Sequence, residues 1–187
     1  MPANLPSRVA TSPVVIVLTG ISASGKSTVA ELLARDFERG VHVRGDVFRR
    51  MVVSGRADMA PNPSKEALRQ LALRYDLTAA TADRYADEGF DVVVQDVVLG
   101  RQLRPYLARF RTRPLHLVVL VPRPDVVGER EAARAKTAYG NGWTPAALHL
   151  GLERGTPRLG LWLDSSDLTA EQTASAIRER LGDAVVA

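Results

Sequence analysis

Gly20-Ile21-Ser22-Ala23-Ser24-Gly25-Lys26-Ser27 decides the reading of this chain, because it matches the pattern G-x-x-x-x-G-K-[ST] in full. The pattern carries weight only between a strand and a helix, and both flanks are present. Val14 to Thr19 is a β-branched apolar run of the kind a strand covered on both faces requires, and Val29, Leu32, Leu33 and Phe37 recur at helical spacing until Gly40. Glycines let such a loop wrap closely around an anion, while successive N–H groups and the positive end of the following helix bind its charge. Gly20, Ser22, Ala23, Ser24, Gly25, Lys26, Ser27 and Thr28 are therefore expected to hold the phosphates of a nucleotide. Lys26 should reach the β and γ phosphates and act in their transfer, and Ser27 should offer its hydroxyl to Mg²⁺. A Gly/Ser-rich turn alone would not explain why one of only three lysines, against 22 arginines, falls here.

Outward from this loop the pattern alternates. Val41 to Arg44 reads as a second strand, and Ser64, after Pro61 and Pro63, can cap a long helix running through Glu88 with Leu68, Leu71, Tyr75, Ala79, Ala82 and Tyr85 on one face. Val92 to Asp96 and Leu115 to Val121 read as third and fourth strands with a helix over Leu103 to Phe110 between them, and Leu159 to Leu163 as a fifth. Thr169 and Gln172 have capping-box spacing for a last helix carrying Ala174, Ile177 and Leu181. Alternation of this kind predicts an α/β fold, a five-stranded parallel sheet with helices on both faces, whose ligands bind beyond the carboxyl ends of the strands. Residues 1–13, with Pro2, Pro6 and Pro13, are expected to form a flexible tail before a single domain over 14–187.

The 187 residues, 45% hydrophobic and 25% charged, suit one globular domain with its own core. Without cysteine, thiolate zinc sites, iron–sulfur clusters and cysteine nucleophiles are excluded, and a cytoplasmic setting is expected. The run Val14 to Leu18 is too short for a signal segment or a membrane span, so neither secretion nor a membrane is expected. The net charge of +4 is compatible with a polyanionic partner without requiring one. His42, His116 and His149 lack paired metal-ligand spacing, and His116, inside an apolar strand, reads as a satisfied core residue.

Chemistry is expected where the other strands end. Asp46 follows the second strand in Val43-Arg44-Gly45-Asp46-Val47-Phe48-Arg49-Arg50, placed to accept the proton of an attacking hydroxyl while Arg49 or Arg50 grips the acceptor or the moving phosphoryl group. An aspartate opening a helix fits the same residues, and both roles can coexist. Asp96, closing the third strand, suits either support of Mg²⁺ or a turn cap, and Gln95 is an acceptor-site candidate. Trp162 reads as core, and Trp143, in a Gly-rich stretch, as a residue facing the acceptor.

A phosphate loop followed by a strand ending in aspartate, with arginine three residues on, resembles the small P-loop kinases related to adenylate, adenylylsulfate and polynucleotide kinases. Within them the chain most resembles the chloramphenicol phosphotransferase-like enzymes, over about Val14 to Leu181. The resemblance implies a P-loop NTPase fold, Asp46 as base for a substrate hydroxyl, and a small helical lid over about 123–143. The arginines of that lid, Arg130 and Arg134 above all, would close over the phosphates. It also implies that the final strand and the loop through Ser166 lie beside the adenine.

The first functional expectation is a kinase that moves the γ phosphate of ATP, with Mg²⁺, to a hydroxyl of a small molecule such as an antibiotic or secondary metabolite. The second is a kinase for the 5′-hydroxyl of nucleic acid, suggested by Asp46-x-x-Arg49 and the basic balance but lacking an aromatic platform for single strands. The third is a nucleotide-dependent switch that acts through a partner.

Overall fold

The computed structural model describes residues 12–132 and 145–187. Five parallel strands, β1 (Val15–Gly20), β2 (Gly40–Arg44), β3 (Asp91–Gln95), β4 (Leu115–Leu120) and β5 (Leu161–Leu163), form one sheet in the order β2-β3-β1-β4-β5. Helices α1 (Lys26–Asp36), α2 (Gly45–Arg50), α3 (Lys65–Asp87), α4 (Leu103–Leu107), α5 (Pro124–Ala132), α6 (Pro145–Gly155) and α7 (Ala170–Glu179) alternate with them. This is the α/β P-loop NTPase fold the sequence predicts.

Side chains on a strand point alternately to opposite faces, and β1 shows the consequence. Val15 and Val17 pack with Tyr75, Ala79 and Ala82 of α3 and Leu103 and Tyr106 of α4, whereas Ile16 and Leu18 pack with Val29 and Leu33 of α1 and Ala174 and Ile177 of α7. With both faces covered, every residue of β1 and β4 is buried. The two cores hold the strand ends still, which is what a site built on loops needs.

Several local expectations are corrected. The buried face of α3 is Ala67, Tyr75, Thr78, Ala79, Ala82, Asp83 and Ala86, while Leu68 and Tyr85 are exposed. Small residues bring the helix close to the sheet, and Asp83 is tolerated there because Arg111 N–H, Thr112 N–H and the Thr112 hydroxyl all donate to it. Helix α4 stops at Leu107 instead of continuing to Phe110 and is preceded by a 3₁₀ turn over Gly100–Gln102. Strand β5 starts only at Leu161, because Gly160, at φ +63°, sits where a Cβ would lie 2.3 Å from the Leu117 carbonyl oxygen. Helix α6 was not expected at all, although Thr144-Pro145 before an Ala/Leu-rich run is a helix-start signal.

The two capping signals are realised. Ser64 Oγ accepts from Ala67 N–H at 3.0 Å, and Thr169 and Gln172 form the reciprocal box at 2.8 and 3.2 Å. Buried His116 contacts the Val15 carbonyl at 3.3 Å, and burial holds its pKa below the ordinary value. Trp162 packs partly against the core, donates to the Leu159 carbonyl at 3.1 Å and lies under the Arg158 guanidinium. No helix among the described residues is long and apolar enough to cross a membrane.

Candidate active site

The loop between β1 and α1 takes its shape from three residues with positive φ: Gly20 at +147°, Ala23 at +61° and Gly25 at +90°. A Cβ on Gly20 would lie 2.6 Å from the Leu120 carbonyl oxygen, so glycine is required there. Gly25 caps α1 without any side-chain hydrogen bond, which leaves the first turn of the helix open toward an anion. Lys26 is buried in the loop's centre and donates from Nζ to the Ile21 carbonyl at 2.5 Å and to Ser24 Oγ at 3.3 Å. Ser27 is half-buried on the first turn, and Thr28 is exposed.

Register places the remaining candidates. Gln95 of β3 is opposite Leu18 of β1 on one side and Arg44 of β2 on the other, so the phosphate loop, Gln95-Asp96 and Asp46 leave the sheet at the same end. Adjacent strands stand about 4.8 Å apart, which sets β1 and β2 about 10 Å apart across β3, room for a phosphoryl group and its acceptor. Asp46, in the first turn of α2, is half-buried: Arg50 lies 3.3 Å from Oδ2 and Arg44 4.0 Å from Oδ1, and Oδ1 is shielded from solvent without a hydrogen-bond partner. Gln95 Oε1 is likewise buried and unbonded. Arg49 does not turn to Asp46 but donates to Asp58 Oδ1 at 3.0 Å, in the loop after α2.

Asp96 is held tightly. Arg74 Nε donates to Oδ2 at 3.0 Å, the Arg74 Nη2 reaches Oδ1, and Val97 N–H donates to Oδ1 at 2.6 Å. Gly45 makes room, since a Cβ there would lie 2.0 Å from Asp96 Oδ2. Burial pushes the Arg74 guanidinium below its ordinary pKa, against the opposing pull of Tyr75, Tyr106 and Asp46. Arg74 was not among the residues expected at the site, because the acid that calls for it, Asp96, lies 22 residues further along the chain. Asp96, expected either to support Mg²⁺ or to cap the turn, is engaged by Arg74 and the Val97 N–H, while Ser27, the expected hydroxyl ligand, stands on the first turn of α1 beside Lys26. Among the described residues no group of three or more His, Asp or Glu forms a metal cluster of its own.

A cavity of 330 Å³ opens beside the loop, lined by Ala23, Gly25 and Thr28 and, across from them, by Ser165, Leu168 and Thr169 before α7. Arg130, on α5, borders it. Its Nη2 donates to the Ser165 carbonyl at 3.1 Å, and Nη1 stands 3.8 Å from where a Cβ on Gly25 would be. Arg123 fastens the start of this segment by a bidentate contact with Asp167 at 2.8 and 2.9 Å, which raises the arginine's pKa and lowers the aspartate's. Arg134, the other arginine expected in the lid, and Trp143, expected to face the acceptor, lie outside the described residues.

Solved structures share this fold. A sugar kinase from Janibacter sp. HTCC2649 superposes with a TM-score of 0.67 at 19% identity, over 91% of this chain and 95% of the other. A gluconokinase from Sinorhizobium meliloti 1021 gives 0.57 at 25% identity, over 92% and 91%. The Mycobacterium tuberculosis APS kinase in complex with AMPPNP and APS gives 0.64 at 18%, over 91% and 98%. No curated protein matches the sequence. Residues 15–147, which carry the phosphate loop and Asp46, match the AAA domain family, and the chain belongs to that family.

Proposed function

We propose that the chain is an ATP- and Mg²⁺-dependent phosphotransferase of the cytoplasm that moves the γ phosphate to a hydroxyl of a small molecule. The chloramphenicol phosphotransferase-like resemblance favours an antibiotic or other secondary metabolite as that molecule. The observation that carries the reading is an uncapped phosphate loop with Lys26 at its centre, at the same sheet end as an aspartate whose Oδ1 is shielded and unbonded. P-loop kinases as structural neighbours support it.

In this reading the acceptor oxygen forms a bond to the γ phosphorus, the bond from that phosphorus to the bridging oxygen breaks, and ADP leaves. The hydroxyl proton passes to Asp46 Oδ1. Lys26 exchanges its contacts with Ile21 and Ser24 for phosphate oxygens, the loop N–H groups hold the β phosphate, and Arg130 closes over the transferred charge from the lid side. Mg²⁺, when bound through Ser27, neutralises charge on the β and γ phosphates.

Transfer of labelled γ phosphate from ATP, offered to a pool of hydroxylated metabolites and antibiotics beside a 5′-hydroxyl oligonucleotide, tests the reading. Label on a small molecule is expected. Label on the oligonucleotide would replace it with an end-healing kinase, and label released only as inorganic phosphate would favour a switch.

A further inference from the structure

The segment from Arg44 to Asp58 carries four arginines, Arg44, Arg49, Arg50 and Arg56, and only two acids, Asp46 and Asp58. Each acid is shared. Asp46 stands 4.0 Å from Arg44 and 3.3 Å from Arg50, and Asp58 stands 3.0 Å from Arg49 and 3.5 Å from Arg56. Nearby Arg74 adds no further charge, because Asp96 balances it. Four positive charges over two negative ones leave a local excess at the acceptor end of the sheet, and the four side chains keep between 41 and 56% of their surface open.

The excess is built into the fold. Gln70 of α3 clamps the backbone on both sides of Arg56, donating to the Gly55 carbonyl at 2.8 Å and accepting from Ala57 N–H at 2.9 Å. Arg49, from α2, ties the same loop at Asp58. Each guanidinium has five N–H donors, and one shared carboxylate occupies few of them, so the fork that binds an oxyanion remains available.

We propose that the phosphoryl acceptor carries an oxyanion, a carboxylate or phosphate group, in addition to the hydroxyl that is phosphorylated, and that Arg50 and Arg56 bind it. The inference rests on the phosphotransferase reading and specifies its substrate class. A small acceptor fits better than a polynucleotide. The excess is confined to the short stretch from the end of β2 through α2 to the clamped loop at Arg56, whereas a nucleic-acid path needs a row of phosphate contacts and stacking aromatics.

The test uses the full chain loaded with AMPPNP and Mg²⁺, so that the phosphate loop is filled, and titrates it calorimetrically with sulfate as the oxyanion probe. One sulfate is expected to bind with a millimolar constant. Arg50→Gln with Arg56→Gln should weaken it at least about tenfold, since two charge-assisted contacts are lost, and the corresponding Lys pair should fall between, keeping charge but not the fork. Arg84→Gln, on an exposed pair with Glu88, should bind as the parent does. No sulfate bound by the loaded parent, or equal binding by the Gln pair, would overturn the proposal. Tighter binding of a 5′-hydroxyl oligonucleotide with a steep salt dependence would overturn it in favour of nucleic acid. Failure of AMPPNP itself to bind would mark instead the failure of the phosphotransferase reading.

Discussion

Arg74 of α3 closes on both carboxylate oxygens of Asp96 at the end of β3, joining a helix to the sheet directly beneath the turn that carries Asp46. Asp96 is fully buried as a side chain and Arg74 nearly so. The Asp96 carboxylate has no water to fall back on, and its charge persists only because of Arg74 and the Val97 N–H. The pair thereby fixes the distance between α3, β3 and α2 on which the proposed acceptor site depends.

Removal of one partner should be costly. Arg74→Ala would leave the Asp96 carboxylate buried without its counter-charge, a loss expected at about 3–5 kcal/mol of unfolding free energy. Urea unfolding of parent and variant measures it. A loss under about 1 kcal/mol would mean that Asp96 finds other solvation.

Gly45→Ala probes the same junction from the other side. Its Cβ would fall 2.0 Å from Asp96 Oδ2, and that oxygen is held by Arg74 and cannot yield. Overpacking of this kind costs about 1–3 kcal/mol. Because the strain is released by moving α2, turnover should fall further than thermal stability does, and comparing the two at one temperature separates the effects.

Much of this architecture was legible in the sequence because its signals are local. The phosphate-loop octapeptide, the β-branched run of β1, the apolar run of β4, and the caps at Ser64 and Thr169 each specify backbone within a few residues. What was not legible depends on distant partners. The buried face of α3 is set by which side chains let it approach the sheet, so Leu68 lost to Ala67, and Arg74 was invisible until Asp96, 22 residues away, was placed opposite it. Arg49, read as an acceptor-gripping residue next to Asp46, is engaged by Asp58 from a loop whose course no periodicity announces.

Lys26→Ala should abolish most transfer. The ammonium sits buried at the centre of the loop, and loss of a preorganised electrostatic group of this kind lowers turnover about 10²–10³-fold. Steady-state kinetics with any acceptor that the labelled-phosphate assay identifies would check it, and a turnover within about threefold of the parent would remove Lys26 from the scheme.

Asp46→Asn keeps the size of the side chain and removes its basicity. Nucleotide affinity should be unchanged, because Asp46 lies across β3 from the phosphate loop, while turnover falls by about 10²–10⁴. Retained turnover would assign the proton to another group.

His116 links stability to acidity. Burial lowers its pKa in the folded chain, outweighing the opposing contact with the Val15 carbonyl, whereas the unfolded chain keeps the ordinary value of about 6.5. Between the lowered value and about 6.5 the unfolded chain holds more protons, so stability there rises with pH. The contribution of a neutral His116 is therefore complete above about pH 6.5 and is lost as the pH falls through the folded value. His116→Leu removes the titration and keeps an apolar side chain at that position in β4. Denaturant unfolding from pH 7.5 to 5 should show the parent losing more stability on acidification than the variant, with the gap opening below about pH 6.5. Parallel profiles would mean that His116 takes up its proton as readily when folded as when unfolded.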